Sequence, residues 1–232
     1  VIHAPFIAEP LLRAGPLILT APVVVTWAIM AAMTGASLLL TRKLSVFPSR
    51  VQTALELLVG TLDTEIRATM QTDPAPYRSL IGTLFLFVLV ANWSSLIPGV
   101  EPPTAHLETD AALALLVLCA TFVSGVRTRG IRGYLATFAE PTWVMIPLNV
   151  VEQVTRTFSL VVRLFGNVMS GVFVVGIVLS LAGLLVPIPL MALDLLTGAV
   201  QAYIFAVLAM VFIGAAVGKS GISVHDKPKG QT

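Results

Sequence analysis

Residues 145–182 read MIPLNVVEQVTRTFSLVVRLFGNVMSGVFVVGIVLSLA. After Pro147 the next proline is Pro187, so nothing in the interior forces a helix to break. The run is apolar enough for lipid but too long for a simple crossing. At about 1.5 Å per residue a single helix over it reaches roughly 57 Å, against a hydrocarbon core of about 30 Å. The next stretch, 189–217, reaches roughly 43 Å on the same rise. The sequence therefore predicts two long, strongly tilted helices joined near Leu185–Pro189. Arg163 lies deep inside the first. A guanidinium stays charged, and at the centre of a membrane helix it costs about 2.5–3.5 kcal/mol. Either it belongs to an ion or substrate pathway, or it sits in a structural ion pair or snorkels to the interface.

Composition extends the same reading to the whole chain. Of 232 residues, 56% are hydrophobic and 11% charged, with a mean hydropathy of +0.93. Soluble domains carry roughly 25% charge. The fold class expected is an all-α integral membrane protein. The net charge of +2 comes without a basic patch interleaved with aromatics, so no nucleic-acid partner is expected. Cys119 is the one cysteine, and His3, His106 and His225 lie far apart, so no metal site and no cofactor is expected. Residues 1–15 lack a basic leader and contain Glu9 and two prolines, and are read as an outer N-terminal segment rather than a secretory signal.

Five apolar stretches are expected to span: 16–41, 77–98, 107–126, 141–183 and 187–218. Between the first two, residues 46–70 place Val51, Leu55, Leu58, Val59 and Leu62 at helical spacing, with Gln52, Glu56 and Asp63 off the stripe. This predicts an amphipathic helix on the membrane surface. The arrangement is a single membrane domain over 1–232, closing with an ion-pathway helical hairpin at 141–218 and a polar tail at 219–232. Arg42, Lys43, Arg50, Arg67 and Arg78 lie between the first and second spans. Arg127, Arg129 and Arg132 follow the third, and Lys219, Lys227 and Lys229 follow the fifth. The loop from Pro98 to Leu107 has neither Lys nor Arg. An N-terminus outside and a C-terminus in the cytoplasm satisfy these loops together.

Polar residues mark the path. Glu152, Arg156, Ser159, Arg163, Asn167 and Ser170 recur at spacings of three and four and share one helix face. Glu152 and Arg156 can pair one turn apart, whereas Arg163 has no acid within a turn. Its counter-charge must come from another segment or another protein. The last segment carries Asp194, Thr197 and Gln201 on a second stripe. Asp194 either serves the pathway or caps a helix after Pro187 and Pro189, and Gln201 either serves it or joins helices. A third cluster, the outer mouth, combines Asn92, Ser94 and Ser95 with His106, Glu108 and Asp110. For these acids a favourable helix N-terminus in water is an equally open reading.

These residues carry a resemblance. Ser-Leu-Val-Val-Arg-Leu-Phe-Gly-Asn at 159–167 resembles the signature of subunit a of F-type ATP synthases, and Glu152, Gln201-Ala-Tyr-Ile-Phe205, Asn92-Trp-Ser-Ser-Leu-Ile-Pro-Gly99 and Pro48-Ser-Arg-Val-Gln-Thr-Ala-Leu-Glu56 extend it over roughly residues 40–217. The resemblance implies a stator subunit with no catalytic site of its own. It would lie in an energy-transducing membrane, most simply a bacterial plasma membrane, against a c-subunit ring and beside the peripheral-stalk subunit b. A proton or sodium ion would enter by one half-channel, ride a ring carboxylate and leave by another. Arg163 matches the arginine separating the half-channels, and Asn167 and Gln201 match polar residues near it. Two positions depart from the family pattern. Val172 stands where many members have an acid or histidine, and Asp194 where many have histidine or glutamate. The alternative is a self-contained secondary transporter or ion channel built around Arg163. An intramembrane enzyme is disfavoured, because no His-Glu-x-x-His, Gly-x-Ser-x-Gly or paired-aspartate motif is present.

Overall fold

A computed structural model describes residues 10–14, 17–42, 50–97, 100–139, 145–182 and 186–218. The expectations for residues 1–9, 46–49 and 219–232, and for Leu185 at the joint, lie outside these. A short antiparallel hairpin opens the described chain, β1 (Pro10–Ala14) with β2 (Leu17–Thr20). From there the structure is helical: α1 (Ala21–Thr41), α2 (Arg50–Met70), α3 (Ala75–Trp93), α4 (Leu107–Ala139), α5 (Met145–Ala182) and α6 (Pro187–Val217). Five of the six, all but α2, are long and apolar enough to cross a membrane. The chain is a membrane-embedded, multi-span α-helical protein.

Local chemistry explains the boundaries. Prolines stand in the first turns of α3 and α6, where a missing N–H costs no helical bond. Within the helices, threonine hydroxyls donate to the carbonyl four residues back, as Thr26 does to Pro22, Thr34 to Met30 and Thr121 to Val117. Such self-satisfaction suits a medium without water. Neither α5, with 38 residues, nor α6, with 31, is interrupted.

One expectation is corrected. The third span does not end at 126: α4 continues through Arg127, Arg129 and Arg132 to Ala139, because basic residues are good helix formers once outside the lipid. It does so through a sharp bend at Gly130, whose φ of 72° and ψ of 163° only glycine adopts readily. The bend folds the chain back, and the rings of Phe122 and Tyr134, about 18 Å apart along a straight helix, stack edge to face at 5.2 Å. In α2, Ile66 and Met70, near its end, are buried. Val51 and Val59 are exposed. Ile66 and Met70 pack with Ile81 of α3 and Met210 and Ile213 of α6. Arg78 of α3 binds Asp63 through both carboxylate oxygens at 2.5 Å. The end of α2 is therefore docked onto the bundle.

The main core joins Leu84 and Val88 of α3, Leu113, Ala114 and Val117 of α4, Leu160, Val161 and Leu164 of α5, and Ala202, Phe205 and Ala209 of α6. Large apolar side chains cover the outside instead, including Trp27, Leu39, Val154, Phe158 and Leu181. This is the distribution expected where the surrounding solvent is hydrocarbon.

Candidate functional site

Helical spacing alone places Glu152, Arg156, Ser159 and Arg163 together, and the structure arranges them along a cavity of about 570 Å³ between α5 and α6. Leu148, Val151, Leu160, Leu208 and Phe212 supply its apolar lining. Glu152 and Arg156 form the i, i+4 ion pair, and the Arg156 guanidinium also lies 5.5 Å from the centre of the Phe212 ring. Arg163 is different. Its side chain is exposed on the open side of the bundle, and no ion pair reaches it among the described residues. The buried stripe of α5 runs instead through Leu160, Leu164 and Val168. The polar stripe is thus turned partly outward, toward whatever covers this face. Ser159 and Ser170 are exposed with it, and Asn167 is half-buried.

Two contacts set the register of the antiparallel α5/α6 pair. Arg156 meets Phe212 near one end, and Gly171 meets Asp194 near the other, where a Cβ added to the glycine would strike the carboxylate. Between them, Gln201 falls within about one turn of the level of Arg163. Gln201 is buried, at 6% exposure, so it faces the bundle rather than lipid. Thr197 is exposed and donates to the Asp194 carbonyl at 3.0 Å.

Asp194 is not a cap. The helix begins at Pro187 with Val186 in the cap position, two turns earlier. Its carboxylate oxygen lies 3.4 Å from the Ser95 hydroxyl, which joins the outer-mouth cluster to the last helix. The centre of that cluster is Asn92, only 5% exposed. Its Nδ2 donates to the Gly198 carbonyl at 3.0 Å, and its Oδ1 accepts from Thr104 at 2.8 Å. Beside it, Trp93 Nε1 donates to the Leu195 carbonyl at 3.1 Å. The knot is close-packed, since a Cβ on Gly198 would stand 3.1 Å from Asn92 Cβ.

The remaining mouth residues separate. Glu108 is exposed in the first turn of α4, where its charge suits the helix dipole. His106 Nε2 lies 3.4 Å from Glu101 Oε2. Asp110 is wholly buried, so the water-facing reading fails for it. Thr104, Trp93 and Glu101 were not singled out from sequence. Thr104 sits in a Pro-Pro-Thr turn whose only signal is a polar residue between spans.

Replacing Asn92 by alanine strands the buried Thr104 hydroxyl. A buried group losing its partner costs about 1–3 kcal/mol. Asn92→Ala is therefore expected to lower the thermal stability of the detergent-solubilised chain and to loosen the Asp194–Ser95 contact. A melting curve matching wild type would mean that the knot does not hold the mouth.

Comparisons with known proteins show the family. The family described as ATP synthase A chain matches residues 23–214. ATP synthase subunit a 2 of Bradyrhizobium sp. (strain BTAi1) is 54% identical over 215 residues, covering 93% of this chain and 96% of the relative. ATP synthase subunit a of Albidiferax ferrireducens is 46% identical over 204 residues, covering 87% and 88%. ATP synthase subunit a 1 of Chlorobaculum parvum is 47% identical over 206 residues, covering 88% and 91%. With its five spans, its Arg163 stripe and a family match over most of its length, the chain belongs to the ATP synthase A chain family, the membrane-embedded a subunits of ATP synthases.

Proposed function

We propose that this chain is the non-catalytic, ion-translocating stator of a rotary ATP synthase. It would form two half-channels against a ring of c subunits, with subunit b beside it, and carry protons or sodium ions. The observation that carries the reading is Arg163, a permanent cation on the open face of α5 without an acidic partner among the described residues. Its counter-charge is then a carboxylate on the passing rotor. At about 4 Å and an effective dielectric of 20, the attraction is roughly 4 kcal/mol. That favours release of the carried ion by about a thousandfold. A rotor site would thus be emptied beside Arg163, and an ion could not pass straight from one half-channel to the other. The membrane potential drives the exchange with about 2.3 kcal/mol per charge per 100 mV.

In this reading the cavity lined by Glu152, Arg156, Ser159 and Arg163 belongs to the cytoplasmic half-channel. Asp194, with Ser95, Ser170 and Thr197, belongs to the outer one. Asn167 and Gln201 flank the arginine. The orientation, N-terminus outside and C-terminus in the cytoplasm, rests on the basic loops.

The deciding experiment compares the purified chain alone in liposomes with the complete reconstituted complex under the same ion gradient and potential. The stator reading expects no flux from the chain alone and flux from the complex. Ion transport by the chain alone at the rate of the complex would replace it with a self-contained transporter.

A further inference from the structure

Asp110 stands in an unusual position for a carboxylate. It is 0% exposed, and neither of its oxygens has a hydrogen-bond partner among the described residues. It heads the buried stripe of α4, followed by Ala114, Val117 and Thr121. Leu113, Ala114 and Val117 pack against Leu160, Val161 and Leu164 of α5. One turn further out along the antiparallel pair stand Asp110 and the Asn167–Val168 step. Asn167 Nδ2 is itself buried and without a partner among the described residues.

The register against α6 agrees. Near the inner end, Arg129 donates to the Val217 carbonyl at 3.3 Å, and the same offset carries Asp110 to the level of Gly198. Near the outer end, Thr104, just ahead of α4, reaches Gly198 through Asn92. Asp194 lies one turn beyond Gly198 on α6 and rests on Gly171 of α5, one turn beyond Asn167. Two carboxylates thus occupy neighbouring levels of the bundle, with an unsatisfied amide donor at about the level of one of them.

A carboxylate buried without a donor or a counter-charge is stable only with a proton or a cation on it. Unmade acceptor and donor bonds at one level are what a small wet pocket supplies. The geometry points to Asp110 as a second ion-accepting carboxylate of the outer path, taking one proton or one sodium ion from the Asp194 side and returning it to the space beside Asn167. This rests on the ion-translocating reading above. In the proton case, Asp110 gains a proton from a hydronium on the Asp194 side, which is left as water, and loses it to a water beside Asn167, which leaves as hydronium, so that the carboxylate ends as it began. In the sodium case, its two oxygens, with the Asn167 side-chain carbonyl and water, are the hard oxygen ligands such a cation takes.

The test uses the complete complex in liposomes, with subunit content measured for each variant. ATP-driven uptake is followed both by a pH-sensitive dye and by radiolabelled sodium, so that the arm that responds names the ion. Asp110→Asn keeps the shape and removes the charge. It is expected to lower flux of the transported ion by about a hundredfold, the scale of losing one positioned acid–base group. Asp110→Glu is expected to recover a clear fraction of that loss. A merely structural aspartate would be replaced by asparagine without effect. Wild-type flux in Asp110→Asn overturns the proposal, and so does equal loss in Asp110→Asn and Asp110→Glu. If neither Asp110→Asn nor the smaller Asp110→Ser allows assembly, the carboxylate serves folding and the proposal also falls. Loss of flux in Arg163→Ala alongside normal flux in Asp110→Asn would remove this inference and leave the proposed function standing.

Discussion

Arg163→Ala is expected to abolish ATP-driven ion uptake by the reconstituted complex while leaving assembly intact. The side chain lies on the open face of α5 and supports no packing in the core, so its removal costs the fold little. What would be lost, on the proposed stator reading, is about 4 kcal/mol of attraction for a rotor carboxylate. No neighbour can replace it, because Arg156 is already held by Glu152 and Phe212. Arg163→Lys is expected to fail nearly as badly, since an ammonium in an apolar site loses its proton readily and lacks the planar fork that meets a carboxylate at two points. Uptake is read with the dye and the sodium tracer together. Wild-type uptake in Arg163→Ala complexes of normal composition would overturn the stator assignment.

Asp194→Asn is expected to slow the flux by about a hundredfold or more, on the scale of losing one positioned proton-transfer group. Its position inside α6 removes the alternative that asparagine could simply replace it as a cap. The residue touches Ser95 on one side and the bare backbone of Gly171 on the other, so asparagine fits the space and leaves a polar but non-titrating group. Asp194→Glu is expected to retain part of the flux, restricted by the close approach to Gly171. Val172→Glu in the Asp194→Asn background places an acid one residue from Gly171 and is expected to restore part of it as well. Near-wild-type uptake in Asp194→Asn complexes would exclude Asp194 from the path.

The helices were legible because their causes are local. Apolar runs set the five spans, the distance from Pro147 to Pro187 set the length of α5, and spacings of three and four placed Glu152, Arg156, Ser159 and Arg163 on one face before any coordinates did. Ends were less legible. The three arginines that close the third apolar run change the hydropathy without ending the helix, so α4 outlasts its own signal, and its bend follows from one glycine whose backbone angles no pattern announces. Of the Asn92 knot, Asn92 and its neighbouring serines were legible, but not their partners across the fold. Asn92 bonds to a carbonyl 106 residues away, and which polar residue meets which is decided by packing. The same holds for Asp110 and Glu108. Two acids in one helical turn look alike in sequence, and only the tertiary structure buries one and exposes the other.

The length of α5 has a mechanical consequence. A rod of about 57 Å confined to a slab of about 30 Å leans roughly 60° from the normal. Any upright helix sliding past it then crosses it at a steep angle and touches it over little more than one turn. Ridges and grooves interlock over several turns only when helices run nearly parallel. A steep crossing offers no such teeth, so a partner moving along this face meets little corrugation from one step to the next. On the stator reading proposed above, the surface that would select where an ion is released would thereby also be a bearing with low friction.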